Sequence, residues 1–159
     1  MKNIAIDLTT QTLVLYDGAQ RLRRYSVSTS KFGPGEERDS HRTPRGRHLV
    51  RAKIGAGAPT GAVFVRRRPT GEVWSPELQA RFPGRDWILT RILWLSGCEP
   101  GRNRLGRVDT MQRYVYIHGT PDTAPMGTPG SIGCIRMRNA EIVELFDLVP
   151  PYTEVDIIA

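Results

Sequence analysis

Short apolar runs broken by turn signals dominate this chain, and few segments keep a helical period. Ile4-Ala5-Ile6 and Leu13-Val14-Leu15-Tyr16 flank a Thr-Thr-Gln turn, and Asp17-Gly18 marks a hairpin leading to a third strand near Arg23 to Ser28. Residues 30–47 are rich in glycine, proline and charge, which predicts a long loop ending in Thr43-Pro44-Arg45-Gly46. Further strands are expected over His48 to Ile54, Val63 to Arg67, Trp87 to Leu95, Arg113 to His118 and Thr153 to Ile158. Between them, Pro69 to Pro83 predicts a lid or insertion with little regular structure, and Glu99 to Thr110 is rich in turns. One helix is expected, over Ala140 to Leu148. There Ile142, Leu145, Phe146 and Val149 keep one apolar face, Asn139 stands at the N-cap, and Pro150-Pro151 stop it. The pattern is that of a single, mainly β domain spanning 1–159.

Composition narrows the function. Hydrophobic residues make up 39% of the chain, enough for one proper core. Asp7, Thr9, Thr10 and Gln11 interrupt the first apolar stretch, and no later run approaches membrane-spanning length. A cytoplasmic protein without membrane contact is the expectation. The net charge of +7 is carried by 20 arginines and only three lysines, Lys2, Lys31 and Lys53. Guanidinium forks suit carboxylates and phosphates. No continuous basic stripe or aromatic stacking series points to nucleic acid, and Arg66-Arg67-Arg68 reads as a solvated face. The scattered histidines and the absence of Cys-x-x-Cys or His-x-x-x-His spacing predict no metal, and no glycine loop predicts a phosphate-bearing cofactor.

The chemistry-bearing pair is His118 and Cys134, sixteen residues apart. A thiol attacks as thiolate, so a catalytic cysteine needs a base or a positive surrounding. Strand alternation places Tyr114, Tyr116 and His118 opposite Val115 and Ile117, and Cys134, Arg136 and Arg138 opposite Ile135 and Met137. If those strands are neighbours, His118 reaches Cys134. Arg136 is then expected to lower the thiol pKa and to seat a substrate carboxylate, and the N–H groups of Gly133 and Cys134 are candidate oxyanion donors. Ser131 and Tyr116 are further candidate substrate contacts. Cys98, at the end of an apolar strand, is expected to be a structural free thiol, and His41 and His48 to be solvated.

His118-Gly119 followed by Ser131-Ile132-Gly133-Cys134-Ile135-Arg136-Met137 and Asn139 resembles the signature of the YkuD-type L,D-transpeptidase family. Ile6-Asp7-Leu8, Gln11-Thr12-Leu13, Val27-Ser28-Thr29, Thr43-Pro44-x-Gly46 and Leu93 to Gly97 extend the likeness over nearly the whole chain. The resemblance implies a β-sandwich or barrel-like catalytic fold with one main helix after the cysteine. It also implies acyl transfer on peptidoglycan stem peptides, with Cys134 as nucleophile, His118 as base and the Gly119 carbonyl orienting the imidazole. Ile132 stands where the family has histidine. The expected activity is that of a cytoplasmic L,D-carboxypeptidase, which trims tetrapeptides in muropeptide recycling without a cofactor. A cross-linking or D-amino-acid-exchanging transpeptidase is the second expectation, and a silent murein-binding module the third.

Overall fold

Three N-terminal strands, β1 (Lys2–Asp7), β2 (Thr12–Asp17) and β3 (Gln20–Ser26), form an antiparallel meander whose alternation turns Ile4, Ile6, Leu13, Leu15 and Tyr25 inward. The computed structural model describes all 159 residues. Its remaining strands are β4 (Gly46–Ile54), β5 (Ala62–Val65), β6 (Arg68–Val73), β7 (Ile88–Gly97), β8 (Tyr116–Thr120), β9 (Ile135–Arg138) and β10 (Glu154–Ile158). All ten belong to one mixed sheet, in the order β3-β2-β1-β10-β4-β7-β5-β6, with β8 and β9 branching from β7. The sheet curls into a half-barrel, as a mainly β fold of this class does.

The short helix α1 (Pro76–Arg81) is capped by the Ser75 hydroxyl, and α2 (Asn139–Leu148) follows β9 directly. Ile142, Leu145, Phe146 and Val149 press into a core of 20 buried residues that includes Val115, Ile117, Ile135 and Met137. Each fully buried aliphatic side chain of this kind stabilises the fold by about 1.5–3 kcal/mol. Lys53 closes the far end of α2, donating to the carbonyls of Phe146 and Val149 at 2.7 Å each, where the helix dipole favours a cation.

Four elements differ from their sequence-based expectation. Pro69 to Pro83 holds β6 and α1 instead of irregular chain. β6 is an exposed edge strand, where Pro69 and Gly71 are tolerated and apolar alternation is not needed. The strand expected from Arg113 starts only at Tyr116, because Tyr114 turns with φ 57°. Asn139 lies inside α2 and does not cap it: Arg138 occupies the N-cap without a side-chain bond. Finally, His48 is fully buried between Gly46 O and Thr110 Oγ1, both at 2.9 Å. Burial of its neutral ring pushes the His48 pKa down to about 4.

Candidate active site

Strands β8 and β9 lie side by side and parallel, with Ile117 opposite Ile135 and His118 opposite Arg136. The aliphatic members of both strands go to the core, as alternation predicts, which leaves the other face of β8 and the start of β9 for chemistry. His118 is fully buried. Its Nδ1 meets the Gly119 carbonyl at 2.6 Å. A carbonyl only accepts, so Nδ1 carries the proton and Nε2 keeps its lone pair. Nε2 is buried without a hydrogen-bond partner. Burial holds the His118 pKa below the usual imidazole value, which maintains the neutral ring.

Gly119 is a glycine for a packing reason. A Cβ there would stand 2.5 Å from Asn139 Oδ1 and 2.6 Å from the Leu89 carbonyl. On that side β7 carries a bulge, its register shifting between Leu89 and Ile92. Thr90 sits in it at φ 77°, a conformation that a β-branched residue rarely adopts and that costs about 1–3 kcal/mol. Its hydroxyl donates to Asn139 Oδ1 at 2.5 Å and accepts from the Gly61 N–H at 2.9 Å, while Asn139 Nδ2 donates to Asp122. Thr90 is not among the candidate residues of the sequence motif. The polar pair Thr90-Arg91 inside an otherwise apolar strand was the available signal.

Cys134 precedes β9 on a tight loop. Gly133 adopts φ 131°, which L residues with side chains avoid, and its carbonyl accepts from Thr43 Oγ1 at 2.9 Å. Ser131 shapes the same loop: its hydroxyl donates to the Cys134 carbonyl at 2.6 Å and accepts from the Gly133 N–H at 3.2 Å. Ser131 is buried, and its hydroxyl is engaged within the loop. The Gly133 N–H is spent on it, whereas the Cys134 N–H has no acceptor within the fold. The thiol itself accepts from the Tyr116 N–H at 3.3 Å and donates to the Tyr114 carbonyl at 3.5 Å. Burial pushes the Cys134 pKa up to about 12, against the smaller opposing effects of the Tyr116 N–H, Arg136 and Arg113. Burial thus favours the neutral form of both the thiol and the imidazole, and no hydrogen bond joins Cys134 Sγ to His118, whose Nε2 has no partner.

Arg136 corrects another expectation. Its guanidinium donates to Asp86 Oδ1 at 2.9 Å and to the Gly130 carbonyl at 3.1 Å, so the carboxylate seat expected there is already filled from within the chain. Nor does Arg136 leave the thiol acidic, since burial and Asp86 outweigh it. Neither Asp86 nor Arg113 is singled out by the sequence: Asp86 sits in a turn before β7, and Arg113 reads only as the first residue of the strand that leads to His118.

Two clefts meet at Cys134. One, of about 200 Å³, is bounded by Arg38, Asp39, His41, Gln112 and Arg113. The other, of about 460 Å³, runs past Arg66, Arg67, Asp86, Ile88 and Tyr116. Ile132, 46% exposed, and Tyr114 border both. His41 faces both as well, so it lines the site in addition to meeting solvent. Cys98 lies elsewhere, a free, partly buried thiol, and Cys134 is also free.

The YkuD protein of Bacillus licheniformis is 26% identical over 155 residues, covering 97% of this chain and 64% of that protein. Its Bacillus subtilis counterpart is 49% identical over 94 residues, 59% of this chain and 47% of that protein. This chain thus spans about half to two thirds of the length of those relatives. An L,D-transpeptidase from Mycobacterium smegmatis superposes with a TM-score of 0.59 at 16% identity, over 99% of this chain and 58% of that one. L,D-transpeptidase 3 from Mycobacterium tuberculosis superposes with a TM-score of 0.60 at 12% identity, over 99% of this chain and 61% of that one. The model of the L,D-transpeptidase catalytic domain matches residues 2–157, and the chain belongs to that family, YkuD.

Proposed function

We propose that this protein performs cysteine acyl transfer on peptidoglycan stem peptides, and that its principal reaction is L,D-carboxypeptidation of a tetrapeptide. One observation carries the reading: the buried, unpartnered Nε2 of His118, its tautomer held by Gly119, on the strand beside the one that follows Cys134. In this reading the thiol leaves the Tyr114 carbonyl when substrate fills the cleft and gives its proton to Nε2. The thiolate attacks the carbonyl of the third stem residue, and the free Cys134 N–H receives the oxyanion. Collapse breaks the bond to D-alanine, whose nitrogen takes the proton from His118 and leaves a thioester. Water, deprotonated by the same Nε2, then releases the tripeptide and the thiol.

Water is the acceptor in this reading because of the cleft's charge. Arg66, Arg67 and Arg113 face one carboxylate, Asp86, which Arg136 already holds. Such a lining attracts the carboxylates of a stem peptide and disfavours an ammonium acceptor. Ile132, in place of a second imidazole, puts no base at that position of the rim beside the thiol. The substrate we infer is a soluble muropeptide of the kind trimmed in cytoplasmic recycling, and the surface charge of +7 suits its several carboxylates. The meeting of two clefts at one thiol favours a second reading, in which an amine from another stem or a D-amino acid occupies one of them.

Mass spectrometry of disaccharide tetrapeptide incubated with the protein, with and without excess D-amino acid and against Cys134→Ala, tests the proposal. Tripeptide and free D-alanine dependent on Cys134 are expected. Exchanged or dimeric stems would promote the second reading, and no turnover by intact protein would sink both.

A further inference from the structure

Arg66 and Arg67 form the two-residue turn between β5 and β6, with φ 49° and 64°. Such turns ordinarily take Asn-Gly, because both central residues need positive φ. As part of a short arginine run, Arg66 and Arg67 are expected from the sequence to form a solvated face. Instead, the Arg67 guanidinium is held over two ring faces, 4.9 Å from the Trp94 centroid and 4.6 Å from that of Tyr114. Its Nη1 donates to the Tyr116 hydroxyl at 2.8 Å. The rings are fixed in turn: Trp94 packs edge-on against Tyr116 and donates its indole N–H to the Met111 carbonyl.

The cage is joined to the reacting atom. The Tyr114 carbonyl and the Tyr116 N–H are the two groups that hydrogen-bond with Cys134 Sγ. Among the guanidiniums around this cleft, Arg136 is paired with Asp86, Arg113 is spent on the carbonyls of Gly35, Glu36 and Arg42 and on Ser40, and Arg66 is exposed with no ring or hydroxyl to hold it. Arg67 makes no ion pair, and its Nε and Nη2 have no protein acceptor. It is therefore a pre-oriented cation with two free donors, in the same cleft as the thiol.

We propose that Arg67 is the carboxylate-recognition residue of this site, donating Nε and Nη2 as a fork to one carboxylate of the donor stem. This inference rests on the acyl-transfer reading above. Two carboxylates have the required chemistry: that of the terminal D-residue, and a side-chain carboxylate on the third residue.

Calorimetric binding of tetrapeptide to the Cys134→Ala protein separates the subsite from turnover. Adding Arg67→Gln is expected to weaken binding about tenfold or more, since a charge-assisted bidentate pair is lost. Arg68→Gln, which removes the same charge from the adjacent exposed position, is expected to leave affinity unchanged. Repeating the titration with the terminal carboxylate amidated, and then with the third-residue carboxylate amidated, identifies the ligand. The amidation that abolishes the difference between Arg67 and its Gln variant marks the carboxylate that Arg67 holds. Equal affinity of the two proteins for unmodified tetrapeptide, equal losses from Arg67→Gln and Arg68→Gln, or a difference that survives both amidations would overturn the proposal alone. Absence of any tetrapeptide binding or turnover by the protein would overturn the acyl-transfer reading with it.

Discussion

Thr90 donates its hydroxyl to Asn139 Oδ1 at 2.5 Å, tying the bulge of β7 to the first turn of α2 directly behind Gly119. The same hydroxyl accepts the Gly61 N–H, so one strained side chain joins three segments around the carbonyl that orients His118. Thr90→Val keeps the shape but strands both partners, and is expected to cost about 2 kcal/mol, a fall in Tm of about 4–8 °C for a chain of this size. Thr90→Ser is expected to recover most of it. Calorimetric melting of both variants checks this, and an unchanged Tm for Thr90→Val would show that the bond carries no weight.

Gly119→Ala is expected to be far more damaging, because a Cβ there would drive into Asn139 Oδ1 and the Leu89 carbonyl. Asn139→Gly should partly relieve it by removing one of the two obstacles. Comparison of soluble yield and Tm for the single and double variants tests that non-additivity.

Acid stability is expected to depend on His48. Its pKa is pushed from 6.5 to about 4 by burial, so between those values the unfolded chain binds a proton that the folded chain refuses. The sign follows: the contribution is complete above pH 6.5 and is lost as pH falls towards 4, by about 3 kcal/mol. His118, also held neutral by burial, adds to the loss in the same direction. Urea midpoints measured at pH 7 and pH 4.5 should fall steeply for the native sequence and less steeply for His48→Gln. Equal slopes would refute the assignment.

Arg136→Gln separates two roles for that residue. Loss of the Asp86 pair leaves an uncompensated carboxylate near the thiol, which raises the Cys134 pKa further. Slower alkylation of Cys134 by iodoacetamide and a lower kcat are expected, with KM for tetrapeptide held within about twofold. A large rise in KM with kcat unchanged would instead make Arg136 a direct substrate contact.

Ile132→His places an imidazole on the shared rim of both clefts. Ile132 is 46% exposed, so the stability cost should stay within about 0.5 kcal/mol. An increased share of amine-acceptor products over tripeptide is expected, read by mass spectrometry with a D-amino acid present. An unchanged product ratio would separate this position from acceptor choice.

Much of this protein was determined by sequence alone. Period-two alternation located most of the strands, since a side chain's face is set by its own backbone. The motif from Ser131 to Met137, with His118, pointed to the family because its histidine, glycine and cysteine stand in one local order along the chain. Other features required the tertiary structure. The edge strand β6 buries nothing that would impose a pattern, and Asn139 left its capping role for a partner on β7, 49 residues away. Arg136 and Arg67 are chemically identical in the sequence. Only the fold gives one a carboxylate at Asp86 and the other two aromatic faces with free donors, because a side chain's partners come from strands that meet by packing and long-range register.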